Sequence, residues 1–377
     1  MTTPAPDGSL AYHRLARLPG RYPWWKPLLG GVVLVGVWLV LFVVLDIAAY
    51  VTGTVAGRPE VSDGVMDFGA VGDTALDLMA LAVAIPAALL VVRWVERRPA
   101  GTLSSVTGRL RWRWLLACLL IAAPVVTVMT GLALLLPEEP GAEPVEWAGL
   151  GVLLPALLML VLLVPFQAAA EEYVFRGWLL QAVGGLFRSP WIAVVPQAVL
   201  FAAAHGWGTV WGFADLVFFG LVVGWLTIRT GGLEAAIGLH VVNNLVAFGL
   251  SAAVVDGLRS EETAADAPWQ LVALDVVSIS LYALAVTWWA RRRKPATEAV
   301  ATDLVPPPAL VPVGYPPYPP YPPGMYPPYP HLPHAQGTYP PNPNPNPNPY
   351  PPGTPPPGTC PPPPRPPHGA SPPDPGA

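Results

Sequence analysis

Cysteine is nearly absent from this chain of 377 residues: Cys118 sits in an apolar run and Cys360 in a proline-rich terminus. Two such distant thiols exclude a disulfide framework and a cysteine-rich zinc cluster. Charge is scarce as well. Asp, Glu, Lys and Arg make up 12% of the chain, about half the share of a soluble domain. A net charge of −4 leaves no basic excess for a nucleic-acid partner. The first apolar run is followed by no small-residue cleavage site, so it reads as a retained anchor.

What is present is apolar: 53% of the residues, in long runs. A span needs about 20 residues. The runs predict eight, near 28–51, 76–95, 114–136, 150–187, 191–205, 213–228, 233–255 and 271–290. The fold class is therefore all-α, a polytopic membrane helical bundle. Segment 150–187 is too long for one straight span, which predicts a kink near Pro165 or an interfacial portion. Trp24, Trp25, Arg21 and Lys26 mark an interface before the first span.

Charges in the loops alternate. Arg14, Arg17, Arg21 and Lys26 precede the first span, and Arg93, Arg97, Arg98, Arg109, Arg111 and Arg113 follow the second. Arg188, Arg229 and Arg291–Lys294 continue the series, while the intervening loops carry Glu60, Asp63 and Asp67, then Glu138, Glu139, Glu143 and Glu146, then Glu261, Glu262 and Asp266. Basic loops stay inside, so a cell-membrane protein with both termini cytoplasmic is expected. The expected divisions are an N-terminal segment 1–27, three spans in 28–136, a core 147–290, and a basic stop opening the tail 291–377. From Pro306 the tail is Pro-Pro-Tyr repeats, Asn-Pro repeats and Pro361–Pro364, which suits a disordered polyproline II segment and a possible aromatic-groove partner.

Three charges interrupt the apolar sequence at Glu171-Glu172-Tyr173-Val174-Phe175-Arg176. Each charge at membrane depth costs about 2.5–3.5 kcal/mol on insertion scales, so such groups face a protein interior and pair. Glu172 and Arg176 are four apart and share a helix face. Glu171 is turned by about 100° and can look into another space. One held carboxylate beside one free carboxylate separates a structural acid from a working base.

Of six histidines only His205 and His240 fall among the spans. Phe201 and His205 share one face, as do His240 and Asn244, with Asn243 adjacent. These groups suit peptide hydrolysis. A glutamate can take a proton from water with help from histidine. A second histidine and an asparagine amide can donate to an oxyanion. Ser251 and Ser278 lie in apolar sequence without an obvious base, and no H-E-x-x-H helix is present. Glu171, His205 and His240 could still hold zinc, a ligand set known from catalytic sites.

The motifs Glu171-Glu172-x-x-x-Arg176, Phe201-x-x-x-His205 and His240-x-x-x-Asn244, in that order, resemble those of the CPBP family. Its members are C-a-a-X prenyl endopeptidases and bacteriocin-processing intramembrane proteases. The Arg229-Thr230-Gly231-Gly232 turn fits too, and the match covers about residues 155–250. The resemblance implies an intramembrane endopeptidase with no required cofactor, acting on a membrane-anchored or lipid-modified peptide. It implies Glu171 as general base and His205 as its water-activating partner, His240 and Asn244 on the oxyanion side, Glu172 and Arg176 as a structural pair, and Phe201 in packing. A non-catalytic scaffold or bacteriocin self-immunity protein using the same pocket is the alternative.

Depth poses a problem. His240 lies about 10 Å into its span and His205 about 21 Å into its own. Convergence requires tilted or re-entrant helices, for which Pro196, Gly206 and Gly208 provide, and places the site in the cytoplasmic half.

Overall fold

Within a bilayer a chain must satisfy its own backbone hydrogen bonds, and a helix does so segment by segment. The computed structural model describes residues 8–137, 145–300 and 304. Its helices are α1 Trp25–Val55, α2 Gly69–Ala82, α3 Ala84–Val91, α4 Trp112–Ala133, α5 Leu150–Glu172, α6 Leu180–Leu186, α7 Pro190–Ala204, α8 Val210–Thr230, α9 Glu234–Ala252 and α10 Trp269–Arg293. Helices α2 and α3 and a π turn form one stretch, Gly69–Glu96; α5, a second π turn and α6 form another, Leu150–Leu186. Among the described residues seven helical stretches are long and apolar enough to cross a membrane, so the chain is a multi-pass membrane protein.

Every apolar run expected to span is helical, and α7 differs from the rest in length. Its 15 residues rise about 22 Å, short of a hydrocarbon layer of about 30 Å. Past its end Gly206 (φ 96°) and Gly208 (φ 37°) turn the chain into α8. Helix α5 runs through Pro155 and Pro165, and the backbone widens into a π turn at Tyr173–Leu179.

Helix α9 is the hub, packed on α4, α5 and α8 and more lightly on α10. Half of its spanning window (50%) is buried, against 11% for α1, which lies at the rim. Small residues permit the close crossings. A Cβ on Gly238 of α9 would come within 2.8 Å of Cys118 on α4, and one on Gly220 of α8 within 2.7 Å of Ala198 on α7.

Two strands and a short turn close one end of the bundle. β1 (Ser9–Ala11) precedes a 3-10 turn, Tyr12–Arg17, and β4 (Glu298–Val300) follows α10 and pairs antiparallel with β1. At the other end a hairpin of β2 (Glu60–Ser62) and β3 (Val65–Met66) joins α1 to α2, and beside it Asp67 accepts from Arg259 of the loop after α9 at 3.0 Å. The polar N-terminal segment thus folds onto the helices. Tyr12 and Leu15 are fully buried, and the Tyr12 hydroxyl donates to the Leu103 carbonyl. Arg14 caps α6, donating to the carbonyls of Gly184 at 3.0 Å and Phe187 at 2.6 Å. Glu96 forms a buried ion pair with Arg98 at 2.6 Å and accepts from the Tyr22 hydroxyl at 3.1 Å. Burial and the Glu96 charge push the Tyr22 phenol far above its usual range, so it remains a donor. The described chain continues past the basic stop through Val300. The polyproline II character expected of the tail lies outside the described residues.

Arg111 locks this end to α9. Its Nε and Nη2 donate to Glu234 Oε1 and Oε2 at 2.9 and 2.7 Å, and its Nη1 to the Ala296 carbonyl at 3.0 Å. Glu234 is fully buried in the first turn of α9, where a carboxylate also meets the positive end of the helix dipole. Removing one partner of such a pair costs about 3–5 kcal/mol, because the other charge is stranded. Arg111→Ala is expected to lower the melting temperature in detergent clearly, measured by the loss of helical circular dichroism.

Candidate active site

The polar groups of three helices meet where α5 gives way to its π turn. Glu171 and Glu172 are the last residues of α5, and Arg176 lies inside the turn. His205 terminates α7, Phe201 lies one turn earlier, and His240 and Asn244 come from one face of α9. Both glutamates meet His240, on opposite nitrogens. Its Nδ1 lies 2.7 Å from Glu172 Oε1, and its Nε2 3.8 Å from Glu171 Oε2. Arg176 Nη1 donates to that same Glu172 oxygen at 3.0 Å, and both side chains are fully buried.

Aromatic rings enclose this pair. The Arg176 guanidinium lies 4.0 Å from the Phe201 ring centre and 5.4 Å from that of Phe219 on α8. Phe201 and Phe219 stack at 5.6 Å, and both present faces or edges to His240. A cation over desolvated rings gains cation–π attraction. The Phe201-x-x-x-His205 spacing thus places packing for Arg176 and a histidine on one helix face.

Hydrogen bonds settle the orientation of both imidazoles. His205 Nδ1 meets the Phe201 carbonyl at 2.9 Å, and a carbonyl only accepts, so Nδ1 carries the proton. His240 Nδ1 likewise donates to the Glu172 carboxylate. In the neutral rings both Nε2 lone pairs then look toward Glu171 Oε2, at 4.0 Å from His205 and 3.8 Å from His240. That oxygen has no hydrogen-bond partner among the described residues. Three acceptors facing one another require a proton donor or a cation between them. The separations are too long for direct hydrogen bonds and close to those of groups sharing one water oxygen. Zinc at about 2.0–2.1 Å from each would bring the three ligands to about 3.4 Å apart. Among the described residues, no three His, Cys, Asp or Glu side chains stand at ligating distance as placed. A closure of about half an ångström would be needed here.

The side chains meet despite the difference in depth counted along their helices. His240 is six residues into α9, about 9 Å from the end closed by Arg111, and Phe219 about 16 Å from the same end of α8. His205 lies about 22 Å along α7 by the same rise, so α7 and α9 are staggered or tilted relative to one another. The far loop comes in to meet it: Thr263 Oγ1 donates to the His205 carbonyl at 3.0 Å, and Thr209 Oγ1 to the Ala267 carbonyl at 2.8 Å. Exposure is graded. His205 is 25% exposed and Glu171 14%, but His240 only 5%, so the cluster is most open on the His205 side.

Two contributors escaped the sequence reading. Phe219 gives no signal beyond an apolar helix. Gln167 does: it stands one turn before Glu171 and is the first polar side chain of α5. Its Nε2 donates to Glu171 Oε1, and its Oε1 accepts from Asn244 Nδ2 at 3.0 Å. Asn243, adjacent to Asn244, instead lines a separate cavity with Asp215 and Asp275.

The family model described as type II CAAX prenyl endopeptidase Rce1-like matches residues 153–246, which include every residue of the cluster. The Bacillus subtilis protein YyaK, described as uncharacterized, is 30% identical over 247 residues, covering 60% of this chain and 78% of that protein. An uncharacterized 24.3 kDa protein of Escherichia coli is 30% identical over 164 residues, covering 41% of this chain and 69% of that one. No solved structure matches. With the three motifs meeting in space and relatives matched over most of their length, the chain belongs to the Rce1-like CAAX prenyl endopeptidase family, the CPBP family.

Proposed function

We propose that this protein is an intramembrane endopeptidase that hydrolyses a peptide bond in a membrane-anchored or lipid-modified, CAAX-like substrate. The observation that carries this reading is the convergence of His205 Nε2 and His240 Nε2 on Glu171 Oε2, at 4.0 and 3.8 Å. A water among these atoms gives a proton to Glu171 while its oxygen attacks the scissile carbonyl carbon. His205 holds the water in line. The oxyanion accepts from the second N–H of Asn244 Nδ2, and from His240 in the form that carries a proton on Nε2 as well as on the Nδ1 held by Glu172. Collapse breaks the C–N bond, and Glu171 passes its proton to the departing amine. Glu172 and Arg176 carry no proton in this sequence; they hold His240 and keep the charges buried in balance.

The proposed orientation puts the basic loops and both termini in the cytoplasm of a cell-membrane protein. The site then lies nearer the cytoplasmic face. In the same reading, the Pro-rich tail offers a docking segment to a partner with an aromatic groove.

A metal-dependent variant uses the same atoms. Nδ1 of each histidine is held by a carbonyl or carboxylate, as metal-bound imidazoles commonly are. Bound zinc would supply Lewis-acid polarisation of water and of the substrate carbonyl. We favour the metal-free form, because the ligands stand wider apart than zinc requires.

Three outcomes test the assignment. Glu171→Gln is expected to abolish cleavage of a farnesylated C-a-a-X peptide by the protein in nanodiscs, with helicity and melting unchanged; retained turnover would sink the mechanism. Arg176→Ala should lower the melting temperature, by an amount corresponding to about 3–5 kcal/mol for a stranded buried carboxylate. An unchanged melting temperature with lost turnover would make Arg176 part of the chemistry. Finally, active protein is expected to carry less than stoichiometric zinc and to keep its rate after exhaustive chelation. One equivalent of zinc, lost and restored together with activity, decides for the metal form.

A further inference from the structure

Between Leu150 and Glu171, helix α5 offers one polar side chain, Gln167, and it is 4% exposed. A buried amide without partners is costly, and this one is satisfied on both sides by groups of the site. Its Nε2 donates to Glu171 Oε1, and its Oε1 accepts from Asn244 Nδ2 at 3.0 Å. The order of these atoms is forced. An ionised carboxylate only accepts, so Gln167 must turn its nitrogen to Glu171 and its oxygen to Asn244. Asn244 must then answer with Nδ2 and keep its own oxygen turned away.

We infer that Gln167 is a positioning residue that couples the proposed base to the proposed oxyanion donor. It pins Glu171 Oε1, which leaves Oε2 as the oxygen aimed at His205 and His240. It also sets the Asn244 amide so that the second hydrogen on Nδ2, not the carbonyl oxygen, faces the reacting group. Without it, Asn244 is free to flip and present a lone pair to a developing negative charge. The inference rests on the proposed roles of Glu171 and Asn244.

Gln167→Met keeps length and volume and removes both hydrogen bonds. With the full chain in nanodiscs and a farnesylated C-a-a-X peptide as probe, kcat is expected to fall about 10- to 100-fold, the size of one charge-assisted hydrogen bond lost from the transition state. KM should stay within about twofold, since the loss is confined to the transition state. In an Asn244→Ala background the same substitution should cost little more, because the two residues act as a unit. A kcat close to that of the unmodified protein, a loss carried by KM, or losses that multiply in the double variant would each overturn the inference. An infrared arm needs no turnover. The carboxylate stretch of Glu171, identified by its disappearance in Glu171→Gln, should shift in Gln167→Met, and an unshifted band overturns the coupling. Turnover by Glu171→Gln would instead strike the proposed function itself, so the two failures are told apart.

Discussion

A buried carboxylate in an apolar layer must be neutralised and hydrogen-bonded, and the site depends on how Glu172 meets that demand. Its Oε1 takes Arg176 at 3.0 Å and His240 at 2.7 Å together. The guanidinium is covered in turn by Phe201 and Phe219. One ion pair therefore fixes the end of α5, the inner face of α7, the middle of α8 and the ring of His240. The adjacent residue is left to a different fate. Glu171 is rotated away from the arginine, and one of its oxygens faces two imidazole nitrogens.

The backbone makes room for this arrangement where a regular helix would not. A π turn widens the chain at Tyr173–Leu179, and α7 stops after 15 residues. The first lets Arg176 turn inward beside Glu172. The second leaves His205 at a helix end, with its carbonyl tied to Thr263 of the far loop. Irregular backbone at membrane depth is tolerated where protein covers it, and Thr209, Ala265 and Ala267 provide that cover. The opposite end is closed by the clasp of β1, β4 and Arg111, which anchors α9 six residues from His240. A fixed α9 matters because it contributes two of the polar groups.

Much of this was legible in the chain. Long apolar runs with few charges dictate membrane helices, since only helices satisfy their backbone in lipid. Spacing of four puts Glu172 with Arg176, Phe201 with His205 and His240 with Asn244, because that interval returns to one helix face. What sequence could not determine was which helices meet, and at what depth. It left His205 and His240 about 10 Å apart in level, and their meeting on Glu171 comes from a stagger or tilt of α7 against α9 that no pattern in the chain announces. It did not show that Glu172 also holds His240, or that Gln167 links Glu171 to Asn244. Local periodicity determines the face on which a side chain lies; the partner on the neighbouring helix is decided by packing between segments distant in sequence, where Gly238 on Cys118 and Gly220 on Ala198 set how closely the helices approach.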